Sequence, residues 1–286
     1  MACSRCTAYA RLVRAVPRPA RASRIVPVSP MIPRRAESTR AGAEDATKES
    51  IEKVVKNAPK APAGSGIMGS YAIYRGTEQI YKTVAEPAKY SISTVDRHNG
   101  TVEQLADGEE VGVSEGPWHK LLDLPPTFST WSQVTMLRMY LLVARARNLE
   151  PDAYQAWYRQ LVDHFFFDCE RLMDVNHGLT AKTLRQRFLK DLFVQWRGLV
   201  AAYDEGIARG DAVLATAVWR NLYKARTEGV DFRRVAGVVA YIRASLWDLE
   251  KRPDADIVVG KDLFKVSLEA QMKTVEKDAA ALKAAA

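Results

Sequence analysis

Four residues of one stretch, His164, Cys169, Asp174 and His177, are of the types that ligate metals or act as nucleophiles and proton carriers. Asp174-x-x-His177 would set two ligands on one face of a helix, and di-iron bundles use the similar Glu-x-x-His. Such a centre needs the motif twice with two further carboxylates, and this chain has no second copy. Cys169, just after the run His164-Phe165-Phe166-Phe167, reads as a buried small residue rather than a nucleophile. Cys3-x-x-Cys6 has redox or metal spacing, but it falls in a segment read below as a removable leader. The chain holds no Ser-His-Asp context, P-loop or dinucleotide fingerprint. These residues predict no catalytic site, no metal and no cofactor.

A denser constellation is YDEGIARGDAVLATAVWRNLY, residues 203–223. Asp204 and Glu205 fall at a predicted helix C-terminus, where the dipole disfavours carboxylates. A pair so placed calls for cations, with Arg209 and Arg220 in reach, and acid–base catalysis is the chemical alternative. Gly206 and Gly210 bracket the helix end, and Asp211 is expected to N-cap the next helix. Trp219 is expected on the apolar face of that helix with Leu214, Ala215 and Leu222. Tyr203 closes the apolar stripe of the preceding helix. Arg220 and Asn221 follow Trp219 and should turn outward or toward the corner, where the arginine fork suits an internal acid, a partner's carboxylate or an RNA phosphate. The eight positions Tyr203, Asp204, Glu205, Gly206, Asp211, Trp219, Arg220 and Asn221 are the candidate structural or partner-binding set.

The elements that would position them are helices. In the helix begun at Thr180, Leu184, Phe188, Leu192, Trp196, Leu199, Tyr203 and Ile207 recur every three or four residues, a spacing that keeps one face in a helix and in no strand. Thr127 or Ser129 caps an earlier helix with Trp131, Val134, Leu137, Leu141 and Leu142 on its apolar face, and Pro151-Asp152 opens another that stops near Asn176-His177-Gly178. Asp231 caps a last core helix ended before Pro253. The reading is an all-α protein with a compact bundle of about five core helices over 127–252. Before it, 67–126 hold a short helix stopped by Pro87 and a turn-rich connector, with a weak strand at 90–95. After it, 253–286 form an exposed, fraying helical tail. Arg138, Arg145, Arg147, Arg185, Arg187, Lys190, Arg233, Arg234 and Arg243 are placed on solvent sides, a minority forming a patch for ribosomal RNA or anionic lipid. Met136, Met139, Met173 and Phe165 to Phe167 offer soft or aromatic surface, with core packing as the equal alternative.

Charge is unevenly spread. The formal net charge is +8, and the first forty residues alone carry nine Arg against Glu37, leaving 33 of the 42 basic and 33 of the 34 acidic side chains for the other 246 residues. The neutral remainder argues against DNA as a partner. An Arg-rich, nearly acid-free segment over 1–40, with Tyr9, Leu12, Val13 and Val16 at helical spacing, has the pattern of a mitochondrial transit peptide. The Ala, Lys, Glu and Pro composition of 41–66 reads as a disordered linker. The longest apolar run, Val235 to Ile242, is closed by Arg234 and Arg243 and is too short to span a bilayer, so the mature protein is expected to be soluble or peripheral.

Three segments, 124–147, 158–173 and 189–223, resemble the ubiquinol–cytochrome c chaperone family, the resemblance covering roughly 118–250. Gly206, Asp211, Leu214, Ala215, Trp219, Arg220 and Asn221 match its pattern. The resemblance implies a helical, non-enzymatic assembly factor for the mitochondrial cytochrome bc1 complex, peripheral on the matrix side of the inner membrane. It implies newly synthesised cytochrome b and a small helical assembly factor as partners, and in fungi the mitochondrial ribosome near its exit tunnel. TMLRMYLL, 135–142, lacks the His that often stands there, which speaks against haem ligation, and 88–117 lie outside the resemblance. Readings from other classes are a matrix enzyme with a helical-bundle metal or lipid site, and a mitoribosome-binding translation factor.

Overall fold

A computed structural model describes residues 67–285; the leader and linker read in residues 1–66 lie outside them. Ten α-helices and a single two-stranded sheet make up the secondary structure of that region. The protein is all-α.

The helix expected before Pro87 is α1 (Ile67–Ala85), followed by a 3-10 turn at Glu86–Ala88. The strand expected over 90–95 is shorter: β1 (Tyr90–Ser91) pairs antiparallel with β2 (Val113–Ser114). Ser93 then caps α2 (Thr94–Asn99), its hydroxyl accepting from the Asp96 amide. A single turn, α3 (Trp118–Leu122), leads into the bundle.

The bundle holds α4 (Phe128–Ala146), α5 (Pro151–Val175), α6 (Lys182–Arg209), α7 (Asp211–Leu222) and α8 (Phe232–Glu250). Thr127 caps α4 by accepting from the Thr130 amide, and Asp231 caps α8 by accepting from the Arg233 amide, as local sequence dictates. The stripe of α6 faces inward at Phe188, Leu192, Trp196, Leu199 and Tyr203. Helix α4 is central: every residue from Thr130 to Val143 is buried. The one-sided face expected for it is therefore only part of what it buries.

Two arginines expected in solvent belong to that helix. Arg145 donates to the Leu249 and Arg252 carbonyls and pairs with Asp254 at 2.6 Å, closing the C-terminal end of α8. Arg138 donates to the Thr83 carbonyl near the end of α1 and lies 3.8 Å from the centroid of the Phe264 ring and 5.6 Å from that of Trp118. Cation–π contact and a helix C-terminus take the place of a carboxylate, and burial lowers its pKa. One apolar cluster runs from Ile80 of α1 to Leu268.

After α8 come α9 (Asp254–Val259) and α10 (Leu268–Ala285). The tail is helical as expected, and most of its described side chains beyond Met272 are exposed, but its start is packed. α10 is seated on α8, with Leu268 buried and Met272 so close to Gly237 that a Cβ there would fall 2.0 Å from the Met272 sulfur.

Candidate functional site

Five of the candidate positions, Tyr203, Asp204, Glu205, Gly206 and Asp211, lie at or near the corner between α6 and α7, whereas Trp219, Arg220 and Asn221 lie in the last turn of α7. Gly206 lets the helices touch: a Cβ on it would lie 2.6 Å from the Leu214 Cα. Gly210, not Asp211, is the residue preceding α7, and Asp211 makes no capping bond. The expected cap is corrected: Asp211 is the first helical residue, and its carboxylate takes Arg243 Nε at 2.9 Å. The same guanidinium reaches the Ile207 and Gly206 carbonyls at 3.2 and 3.4 Å, satisfying the end of α6 from α8.

The acid pair is neutralised inside the chain, by a cation that local spacing could not reveal. Asp204 holds Arg147 of α4's C-terminus in a bidentate pair at 2.8 and 3.0 Å and accepts from the Tyr140 hydroxyl at 3.0 Å. Glu205 pairs with Arg209 at 3.1 Å, one of the two cations expected, while Arg220 reaches neither acid. Burial and the Asp204 charge push the Tyr140 phenol up. Tyr203 stands edge-on to Tyr140, with ring centroids 5.2 Å apart, and its own phenol is raised by burial. The Asn221 amide lies near the Tyr203 hydroxyl without closing a hydrogen bond.

The buried face of α7 is Leu214, Ala217, Val218 and Leu222, rotated from the one expected. Trp219 is half-buried at its edge, with its indole N–H donating to the Arg226 carbonyl and its ring 6.4 Å from that of Phe232. Of the eight, Arg220 is the exposed side chain without a hydrogen bond or ion pair among the described residues.

The ligand-like quartet is dispersed. Cys169 is fully buried, and burial holds its thiol protonated, which removes it as a nucleophile. His164 meets the Thr77 hydroxyl at 3.1 Å, and Asp174 is held by Arg185 at 3.4 Å. His177 sits between Glu110, 2.9 Å from its Nδ1, and the Tyr90 hydroxyl, 2.7 Å from its Nε2. Among the described residues no three His, Cys, Asp or Glu side chains come together as a metal site. The methionines do not form the expected soft surface: Met136, Met139 and Met173 are buried with Phe165, and Phe167 alone of that set is largely exposed.

What sequence reasoning missed is the docking of the 88–117 connector. Besides the Tyr90–His177–Glu110 chain, Glu109 and Asp107 both hold Lys224, at 2.5 and 2.8 Å, in the turn after α7. Lys224 and Ala225 both have positive φ, at 53° and 56°. These contacts join residues 67 to 117 positions apart in the chain, and nothing local announces them.

Comparison with known proteins covers the same region. The model of the family described as ubiquinol-cytochrome C chaperone matches residues 120–264. The mitochondrial protein CBP3 of Saccharomyces cerevisiae is 40% identical over 144 residues, which are 50% of this chain and 42% of that protein. Ubiquinol-cytochrome-c reductase complex assembly factor 1 of Xenopus laevis is 30% identical over 158 residues, 54% of this chain and 72% of that one. The crystal structure of the Cbp3 homolog from Brucella abortus aligns with a TM-score of 0.46 at 19% identity, covering 69% of this chain and 95% of that one. The chain thus spans less than half the length of its yeast relative. A match over the helical core, including the whole α6–α7 corner, places this chain in the ubiquinol–cytochrome c chaperone family, a family of chaperones and not of enzymes.

Proposed function

We propose that this protein is a mitochondrial assembly factor for the cytochrome bc1 complex that holds newly made cytochrome b until it is incorporated. It works as a peripheral protein on the matrix side of the inner membrane, with a small helical assembly factor beside it. The observation that carries this reading is the family match across 120–264, joined to relatives named as assembly factors of ubiquinol–cytochrome c reductase. The physical features agree with it. No described helix is long and apolar enough to cross a membrane. The acids of the α6–α7 corner are occupied by Arg147, Arg209 and Arg243, leaving no free carboxylate there for acid–base chemistry.

Arg220 is the contact we assign to a partner. Its planar fork is unpaired among the described residues and stands beside Trp219, whose ring is held in place by its bond to Arg226. The test is removal of the gene product followed by complementation. Loss should deplete assembled bc1 complex while other matrix enzymes keep their activity. Arg220→Ala should accumulate as a folded protein yet restore the complex poorly. Normal bc1 content in its absence would overturn the assignment.

A further inference from the structure

Helices α5 and α6 run antiparallel: Glu170 meets Arg185, Phe166 meets Phe193 with ring centroids 5.9 Å apart, and Tyr158 accepts from the Trp196 indole. While the stripe of α6 faces the core, its opposite side carries Arg187, Lys190, Val194, Arg197 and Ala201, spaced 3, 4, 3 and 4, all exposed. Val194 is 69% exposed, Phe193 beside it 43%, and Phe167 on α5 64%. Arg187, Lys190 and Arg197 have no ion pair or hydrogen bond among the described residues, and neither has the exposed Arg159 of α5. The acids nearby are few. Glu170 and Asp174 are taken by Arg185, Asp168 by Arg171 and Glu205 by Arg209, leaving Asp152, Asp163 and Asp191.

We propose that the outward face of the α5–α6 pair lies against an anionic phospholipid bilayer. The proposal rests on the peripheral placement given above and adds the surface that makes it. Three observations carry it. Unpaired cations line a face with aromatic and aliphatic side chains among them, the composition of an interfacial membrane surface. The face is long, because helices of 25 and 28 residues extend about 37 and 42 Å at 1.5 Å per residue. The Phe166–Phe193 contact joins the two helices, so cations of α6 and the exposed Phe167 of α5 belong to one joined pair that offers a bilayer a broad support. An RNA backbone would be drawn by the same cations but would gain little from Val194.

The full chain is mixed with vesicles of phosphatidylcholine alone and of equimolar phosphatidylcholine and phosphatidylglycerol, and bound protein is measured by sedimentation. At about 1 kcal/mol per cation near an anionic surface, Arg187→Gln, Lys190→Gln and Arg197→Gln together should weaken partitioning to the anionic vesicles roughly a hundredfold. Phe167→Ser with Phe193→Ser should also weaken it, with the cations intact. The control, Lys120→Gln with Lys277→Gln and Lys283→Gln, removes equal charge elsewhere and should leave partitioning within about threefold, since those sites do not face the bilayer. The basic N-terminus is common to all of these proteins. Equal loss in the control triple would overturn the proposal, as would an unaffected serine pair. A face triple that loses binding to polyuridylate but keeps vesicle binding would overturn it too and make this a nucleic-acid face. Capture of cytochrome b in detergent extract, measured on the same variants, reports separately on the chaperone reading and is expected to survive.

Discussion

Gly206 and Gly198 lie two turns apart on α6 and should respond in opposite directions to the same substitution. A methyl at Gly206 meets the Leu214 backbone, which cannot step aside without parting α6 from α7. At Gly198 a Cβ meets nothing within 4 Å. Gly206→Ala is expected to lose about 1–3 kcal/mol as overpacking. Gly198→Ala is expected to gain about 0.5–1 kcal/mol, because alanine loses less backbone freedom in a helix. Urea unfolding of the two variants checks both signs. A Gly206→Ala protein as stable as the parent would mean the corner is looser than 2.6 Å implies. The importance of Gly206 was legible in its spacing from Gly210, but its partner Leu214 was not. Asp211 shows the opposite error: a good capping residue after a glycine reads as a cap, yet the carboxylate was drawn away by Arg243, 32 residues on. A cap and an exposed ion pair are each worth up to about 1 kcal/mol, so capping preference alone does not decide where the carboxylate goes.

At the scale of elements, the helices with one-sided stripes were readable and those without were not. The stripe of α6 fixes both helix and facing, since its large residues recur at helical spacing over six turns. Helix α4 buries all sides, so its Arg138 and Arg145 look like solvent residues until the C-terminal segment is seen to cover them. On α7, Trp219 drew the expected apolar face toward itself, but Ala217 and Val218 pack inward and the indole stays at the rim, where its N–H has the Arg226 carbonyl. The connector is fastened to the turn after α7 by Lys224, which faces the buried Glu109 carboxyl. Burial raises the pKa of Glu109 above the ordinary 4.5, with Lys224 opposing. A raised folded value means that the folded state favours the protonated carboxyl. That contribution is fully present below about pH 4.5 and is lost as pH climbs through the folded value. Lys224→Met removes the opposing cation and should raise the Glu109 value further. The variant should therefore lose about 2 kcal/mol at pH 7 and distinctly less at pH 4. Thermal unfolding at the two pH values measures this, and an equal loss at both would show that Lys224 acts by packing alone.

For the whole molecule, the confinement of all net positive charge to residues 1–40 was visible in composition, and so was the helical class. The arrangement that makes one core of α1, the bundle and the start of α10 was not, because it depends on pairs such as Tyr81–Asp168 and Arg145–Asp254 separated by long stretches of chain. The central claim concerns what this body holds. Mitochondrial translation is labelled briefly in organello, the protein is immunoprecipitated from mild detergent, and the labelled products are compared with those in the lysate. The account predicts cytochrome b enriched above every other mitochondrial product, with the signal decaying during a chase as bc1 complex accumulates. Recovery of all products in lysate proportion, or of none with intact protein on the beads, would contradict it.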